Sequence, residues 1–244
     1  MEQPVKVAET IDDLTARLGI LFKELLLAHS LLKLGYGILP YVEDNASVET
    51  VVGLSISIEP IPIKELKQYS ERLPHFTLEV FHGRMVQCWQ NCITTVFCHL
   101  LDLHFAESRQ FTELKKRQVY IDFRSGQDVV TQARDGLIAN FEFEKYSERV
   151  KLINRILNPE GLHQEHLQNI HKHVLIRNSF QHKDGIIDKY LLQDLGVAEI
   201  TLLDHDGHPI TCHEQDKIDI TIPEFDCFRR SLITVGQVWR KWNG

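Results

Sequence analysis

Residues 163–185 read HQEHLQNIHKHVLIRNSFQHKDG. Leu167, Ile170 and Val174 recur at the three-and-four spacing that keeps one face of an α-helix apolar. The pattern predicts a helix from about His163 to His182, stopped by Lys183-Asp184-Gly185, with glycine as the terminating residue. Successive residues turn about 100° round the axis, so Arg177, Asn178 and Gln181 continue the apolar stripe. The core-facing side of this helix thus becomes polar at its C-terminal end. Asn178 and His182, four apart, stand one above the other, and Arg177 lies within reach of both.

Working outward, the chain alternates helical patterns with short β-like stretches. Thr10-Ile11-Asp12-Asp13 predicts a capped helix start, followed by Leu14, Leu18, Leu21, Leu25 and Ala28 at helical spacing, with Gly35 and Gly37 as the stop. Val51 to Ile61 is rich in Val and Ile and predicts one or two short strands closed by Pro60 and Pro62. Ile63 to Arg72 predicts a short helix ended by Leu73-Pro74, and Thr77 to Phe105 the longest helix. Leu114 to Gly126 fits either helix or strand. A helical stretch follows from Val129 to Leu157, with a break expected near Gly136 or Asn140 and a stop at Asn158-Pro159-Glu160-Gly161.

Beyond the opening stretch, Ala198 to Leu203 and Pro209 to Cys212 flank Asp206-Gly207 as a hairpin. Lys217 to Ile220 predicts a further strand. Thr221-Ile222-Pro223-Glu224 has capping-box spacing with proline in the first turn, ahead of a last helix to about Trp242. The expectation is a mainly α protein: a helical bundle with a small inserted β-hairpin, residues 73–244, preceded by an N-terminal helical or α+β extension over residues 1–72.

The 244 residues carry a formal net charge of -7. A protein that relies on nonspecific phosphate attraction is usually basic, so nucleic-acid binding here requires a local patch or a selective substrate. Met1 to Glu9 has no basic segment leading into an apolar run, so secretion is not indicated. The five cysteines, Cys88, Cys92, Cys98, Cys212 and Cys227, are an odd count without dense spacing. Reduced thiols and a cytoplasmic setting are expected. Leu18 to Leu39 is interrupted by Lys23, Glu24, His29 and Lys33, which predicts a buried amphipathic helix rather than a membrane span.

The residue types at the end of the opening helix suit metal-independent RNA cleavage. A histidine can move a proton to or from the 2′-hydroxyl or the leaving oxygen. An arginine can hold the phosphate and stabilise the charge that builds on it. An asparagine can orient the histidine, and RNA brings its own nucleophile in the 2′-hydroxyl. His171, Lys172, His173 and Lys183 form a basic edge suited to phosphate contacts.

Arg177-Asn178, three further residues and His182, followed by Lys183-Asp184-Gly185-Ile186-Ile187-Asp188, resembles the signature of the HEPN superfamily. The surroundings are similar too: a helix before the motif, then a hairpin, then a capped C-terminal helix. The resemblance spans Thr77 to the C-terminus, and its specific part is Arg177 to Asp188. It implies a four-helix bundle that pairs as a homodimer with both motifs lining a shared cleft, acting on RNA as an endoribonuclease without metal or other cofactor, in stress or phage-defence contexts. Carried over, Arg177 is the phosphate and transition-state group, His182 the proton-transfer group and Asn178 their polar support; beside them, Gln181, Lys183 and His173 are expected as substrate-binding residues from their place on the same helix. A noncatalytic nucleotide- or partner-binding module is the alternative that the acidic chain favours.

Other clusters have simpler readings. His163 and His166 share a face, but a histidine-rich surface helix explains them as well as a metal site does. Cys88 and Cys92 sit among Trp89, Ile93 and Val96, as buried thiols would. Asp204-His205-Asp206-Gly207-His208 holds ligand types, yet a hairpin turn accounts for it.

Overall fold

The computed structural model describes residues 3–52, 56–70, 72–106, 109–114, 118–124 and 126–242. Helix α1 runs Gln3–Ile38, strands β1 and β2 Ser47–Val52 and Ile56–Pro62, and helices α2 and α3 Ile63–Tyr69 and Leu73–Phe105. Then come α4 (Val129–Phe143), α5 (Tyr146–Leu157), α6 (Gln164–Lys183), α7 (Lys189–Leu195), β3 (Ile200–Leu203), β4 (Pro209–Cys212) and α8 (Ile222–Arg240). The chain is mainly α, and among the described residues each sheet is a two-stranded antiparallel pair. No helix of the described residues is long and apolar enough to cross a membrane.

Val7, Ile11, Leu14, Leu18, Leu21 and Leu25 form the buried stripe of α1. All but Leu21 join one core with α3, α5, α6 and α8, so the N-terminal helix contributes to the bundle itself. Its start differs from the expected cap. Thr10 lies inside the helix and its hydroxyl donates to the Lys6 carbonyl at 2.9 Å. Asp13 pairs with Arg17 at 2.7 Å and Asp12 with Arg240 at 2.7 Å, so these carboxylates serve contacts rather than a helix start. Gly35 and Gly37 remain helical, and the stop comes at Pro40, inside a 3-10 turn over Leu39–Tyr41.

One proline reading reverses. Pro74 opens α3 instead of ending the preceding helix, because a first-turn proline lacks only a donor that would be unpaired there anyway. The 129–157 stretch breaks at Glu144 and Lys145, past Gly136 and Asn140. That break lets Tyr146 accept the Trp89 indole N–H at 2.8 Å. Trp89 stacks on Trp239 with ring centroids 5.0 Å apart, and Phe97 on Phe141 at 3.9 Å. The strand expected over 51–61 is the β1–β2 pair, except that residues 53–55 lie outside the described residues. Of the ambiguous 114–126 stretch, residues 115–117 and 125 lie outside them too, and the rest is irregular after a 3-10 turn at Thr112–Leu114. The strand expected at 217–220 reduces to one bridge, Ile186 to Lys217.

The packing sets which ends meet. Ile11 approaches Gly236 while Phe22 stacks on Phe225, so α1 runs antiparallel to α8. His166 bonds Ser231 while His173 stacks on Phe228, so α6 is antiparallel to α8 as well. The C-terminal end of α6, the start of α8 and the distal half of α1 therefore share one end of the bundle.

Candidate functional site

Helix α6 ends where the sequence places its stop. Asp184 and Gly185 adopt left-handed φ values of 52° and 77°. The Gly185 N–H donates to the Ser179 carbonyl at 3.2 Å, and the Ser179 hydroxyl donates to the Ile186 carbonyl at 2.7 Å. The chain then zips onto residues 215–218 through Ile187 N–H to the Asp216 carbonyl, 2.9 Å, and Ile218 N–H to the Gly185 carbonyl, 2.8 Å. A β-carbon at Gly185 would lie 2.8 Å from Phe180 Cε1. Gly185→Ala therefore combines a left-handed backbone penalty with a ring clash, and a loss of about 2 kcal/mol or more is expected in urea unfolding.

Below this turn opens a cleft of about 210 Å³ between α6 and α7. Asn178, His182 and Lys183 line it from α6, and Asp188, Tyr190 and Asp194 from the facing side. Arg177 is half-buried, and its Nη1 donates to Asn178 Oδ1 at 3.3 Å. Asn178 thus links the arginine to the cleft that holds His182. Gln181 is exposed on the same helix but does not line the cleft. Asp188, which caps α7 by accepting the Leu191 N–H at 2.9 Å, and the exposed Tyr190 are site residues that sequence reasoning passed over. The capping spacing at Asp188 was the readable signal for α7.

The basic edge does not survive folding. His173, expected among the substrate-binding residues, is wholly buried and faces α3 and α8. Lys172 donates to Glu224 Oε1 at 2.7 Å and to the Thr201 carbonyl at 2.8 Å. Of the four edge residues, Lys183 is left on the cleft, while His171 lies 4.0 Å from Asp194. The reason is that α6 packs by this face against α8 and the β3–β4 hairpin.

What the edge forms instead is a buried polar chain. Glu224 Oε2 accepts the Leu203 N–H at 2.8 Å, and Thr221 Oγ1 caps α8 through the Glu224 N–H at 3.2 Å while donating to the Leu203 carbonyl. Only half of the capping box is made, because the Glu224 carboxylate turns inward. His173 Nε2 faces Glu224 Oε1 at 3.0 Å, off the line of a hydrogen bond, and His173 Nδ1 meets His82 Nε2 at 3.0 Å. With the His173 proton on Nε2, Nδ1 accepts from His82, and His82 Nδ1 is left without a partner.

Burial by itself would raise the Glu224 carboxyl, but the His173 and Lys172 contacts outweigh it and hold the group well below the usual carboxylate range. Burial pushes His82 well below its ordinary value and His173 down to about 4. Unfolding frees His173 to take up a proton near 6.5, so stability is full above that pH and is lost as pH falls toward 4. By pH 5 the loss from His173 is about 2 kcal/mol. Urea unfolding at pH 7.5 and 5.0 measures it, and His173→Gln should shrink the difference by that amount, leaving the part that the buried His82 contributes. Glu224 adds its own loss only below the ordinary range of a glutamate, outside that window.

Two further groups carry ligand-type atoms within 4.8 Å of one another among the described residues: His163, Glu165 and His166 at the start of α6, and Asp204, Asp206 and His208 in the hairpin turn. In the turn, Asp204 Oδ1 accepts the Asp206 and His208 N–H groups at 2.9 and 2.8 Å, as a hairpin requires. All five cysteines are free; Cys92 is buried, and burial pushes its thiol up to about 12. Comparison of the chain with protein-family models, with curated proteins and with solved structures finds no match.

Proposed function

We propose that the chain is an HEPN-like endoribonuclease that cuts RNA without a metal, at the cleft ending α6. The observation that carries this reading is the joining of Arg177 to the His182 cleft through Asn178, at a helix end open to solvent. In this reaction His182 takes the 2′-hydroxyl proton, the 2′-oxygen forms a bond to phosphorus, and the bond to the 5′-oxygen breaks. The products are a 2′,3′-cyclic phosphate and a 5′-hydroxyl, the leaving oxygen being protonated by water or by the second motif of a homodimer. Arg177 offsets the charge on the phosphoryl oxygens, with Lys183 and Gln181 as outer contacts. His173, being buried, has no part in substrate binding. A substrate with a single ribonucleotide in a DNA strand tests the nucleophile. Cleavage must fall at that nucleotide, and cleavage of the all-deoxy strand would overturn the reading.

A noncatalytic binding module is supported by a different observation. Asp188 and Asp194 bring two carboxylates to the cleft of a chain whose net charge is -7, which works against a polyanion. Binding of RNA without cleavage, or of a nucleotide alone, would favour it.

A further inference from the structure

The distal half of α1 carries a second apolar stripe that nothing among the described residues covers. Ile20, Leu27, Leu31, Leu34 and Ile38 are 56% to 69% exposed, and Tyr41 in the next turn is 88% exposed. Their spacing is seven, four, three, four and three residues. That is the strict two-in-seven pattern of a helix-to-helix seam, narrower than the stripe a helix turns to a globular core. The stripe lies about 150° round the axis from the buried one. Glu24 occupies the single polar seam position, between Ile20 and Leu27.

Gly35 and Gly37 flank the stripe inside the helix. Each costs about 1 kcal/mol relative to alanine there, yet a β-carbon at either would meet nothing within 4 Å. No contact among the described residues requires them, whereas a second helix backbone approaching Leu34 and Ile38 would use the space they leave.

We propose that this stripe is the surface through which two copies of the chain pair, seam against seam. A seam that repeats every seven residues is complementary to itself under a two-fold axis, which closes after two copies. The six side chains expose roughly 600–800 Å² per copy, close to the ~800 Å² per partner of a standard stable interface. The pairing itself does not depend on RNA chemistry. It deepens the ribonuclease reading in one respect: the distal half of α1 shares the motif's end of the bundle, so the second copy joins there.

Sedimentation of the full chain tests it, beside the double variant Leu31→Glu, Leu34→Glu. The wild type is expected to sediment as a dimer at about 10 µM, and the variant as a monomer whose self-affinity is at least about 100-fold weaker. Both positions are exposed, so the variant should keep its helical circular dichroism and melting temperature. A wild type that stays monomeric, a variant that stays dimeric, or a monomer that instead cosediments with anionic lipid vesicles would overturn the pairing. Cleavage assayed on the same samples separates the two claims. A monomeric wild type that cuts RNA sinks only the interface, and a stripe-dependent dimer that cuts nothing sinks only the ribonuclease.

Discussion

Glu224→Ala is expected to lower the free energy of unfolding by about 3–5 kcal/mol, the cost of removing one partner from a buried ion pair. Glu224 is 1% exposed in its side chain, and its Lys172 partner 14%. Alanine would leave the Lys172 ammonium with the Thr201 carbonyl alone, the Leu203 N–H without an acceptor and His173 Nε2 facing a void. Lys172 and Leu203 thereby lose a bonded partner, and an orphaned donor costs more than the bond it made was worth, whereas His173 Nε2 has no hydrogen bond to lose. Three elements depend on this carboxylate: α6 through Lys172, α8 on which it sits, and the β3–β4 hairpin through Leu203. Glu224→Gln keeps an acceptor for Leu203 but loses the charge facing Lys172, so an intermediate loss is expected. Urea titration with circular dichroism measures both, and a loss under about 1 kcal/mol for alanine would contradict the account.

The second large effect concerns activity. His182→Ala and Arg177→Ala should each lower RNA cleavage by at least about 100-fold, the usual contribution of a proton-transfer group or a transition-state charge. The two variants differ in their structural cost. His182 is exposed, and its removal should leave the melting temperature unchanged. Arg177 is half-buried and bonded to Asn178, so a small stability loss accompanies its loss of activity. Asn178→Ala is expected to show a smaller cleavage defect, because it supports the pair without itself moving a proton.

The parts of the fold written in local patterns were legible. The α6 stripe of Leu167, Ile170 and Val174, the glycine stop at Gly185 and the Asp206-Gly207 hairpin each rest on side-chain periodicity or backbone conformation within a few residues. The reversals share a cause. Thr10 and Gly35 are compatible with both helix interior and helix end, Pro74 with both the stop of one helix and the first turn of the next, and packing along α1 and α3 decided between them. The site was legible only where it lies on one helix. Arg177, Asn178 and His182 follow from helical spacing, but Tyr190 and Asp194 reach the cleft from α7, which sequence spacing cannot place. His173 shows the opposite failure. Its neighbours made it look like part of a basic edge, while its burial depends on Glu224 and His82, 51 positions later and 91 earlier in the chain.

Incubation of the purified wild-type chain with single-stranded and structured RNAs in excess chelator, followed by analysis of the fragment ends, tests the central claim most directly. The account predicts fragments ending in 2′,3′-cyclic phosphate from the wild type and intact RNA from His182→Ala. Intact RNA of every class with the wild type, or equal cleavage by both proteins, would contradict it.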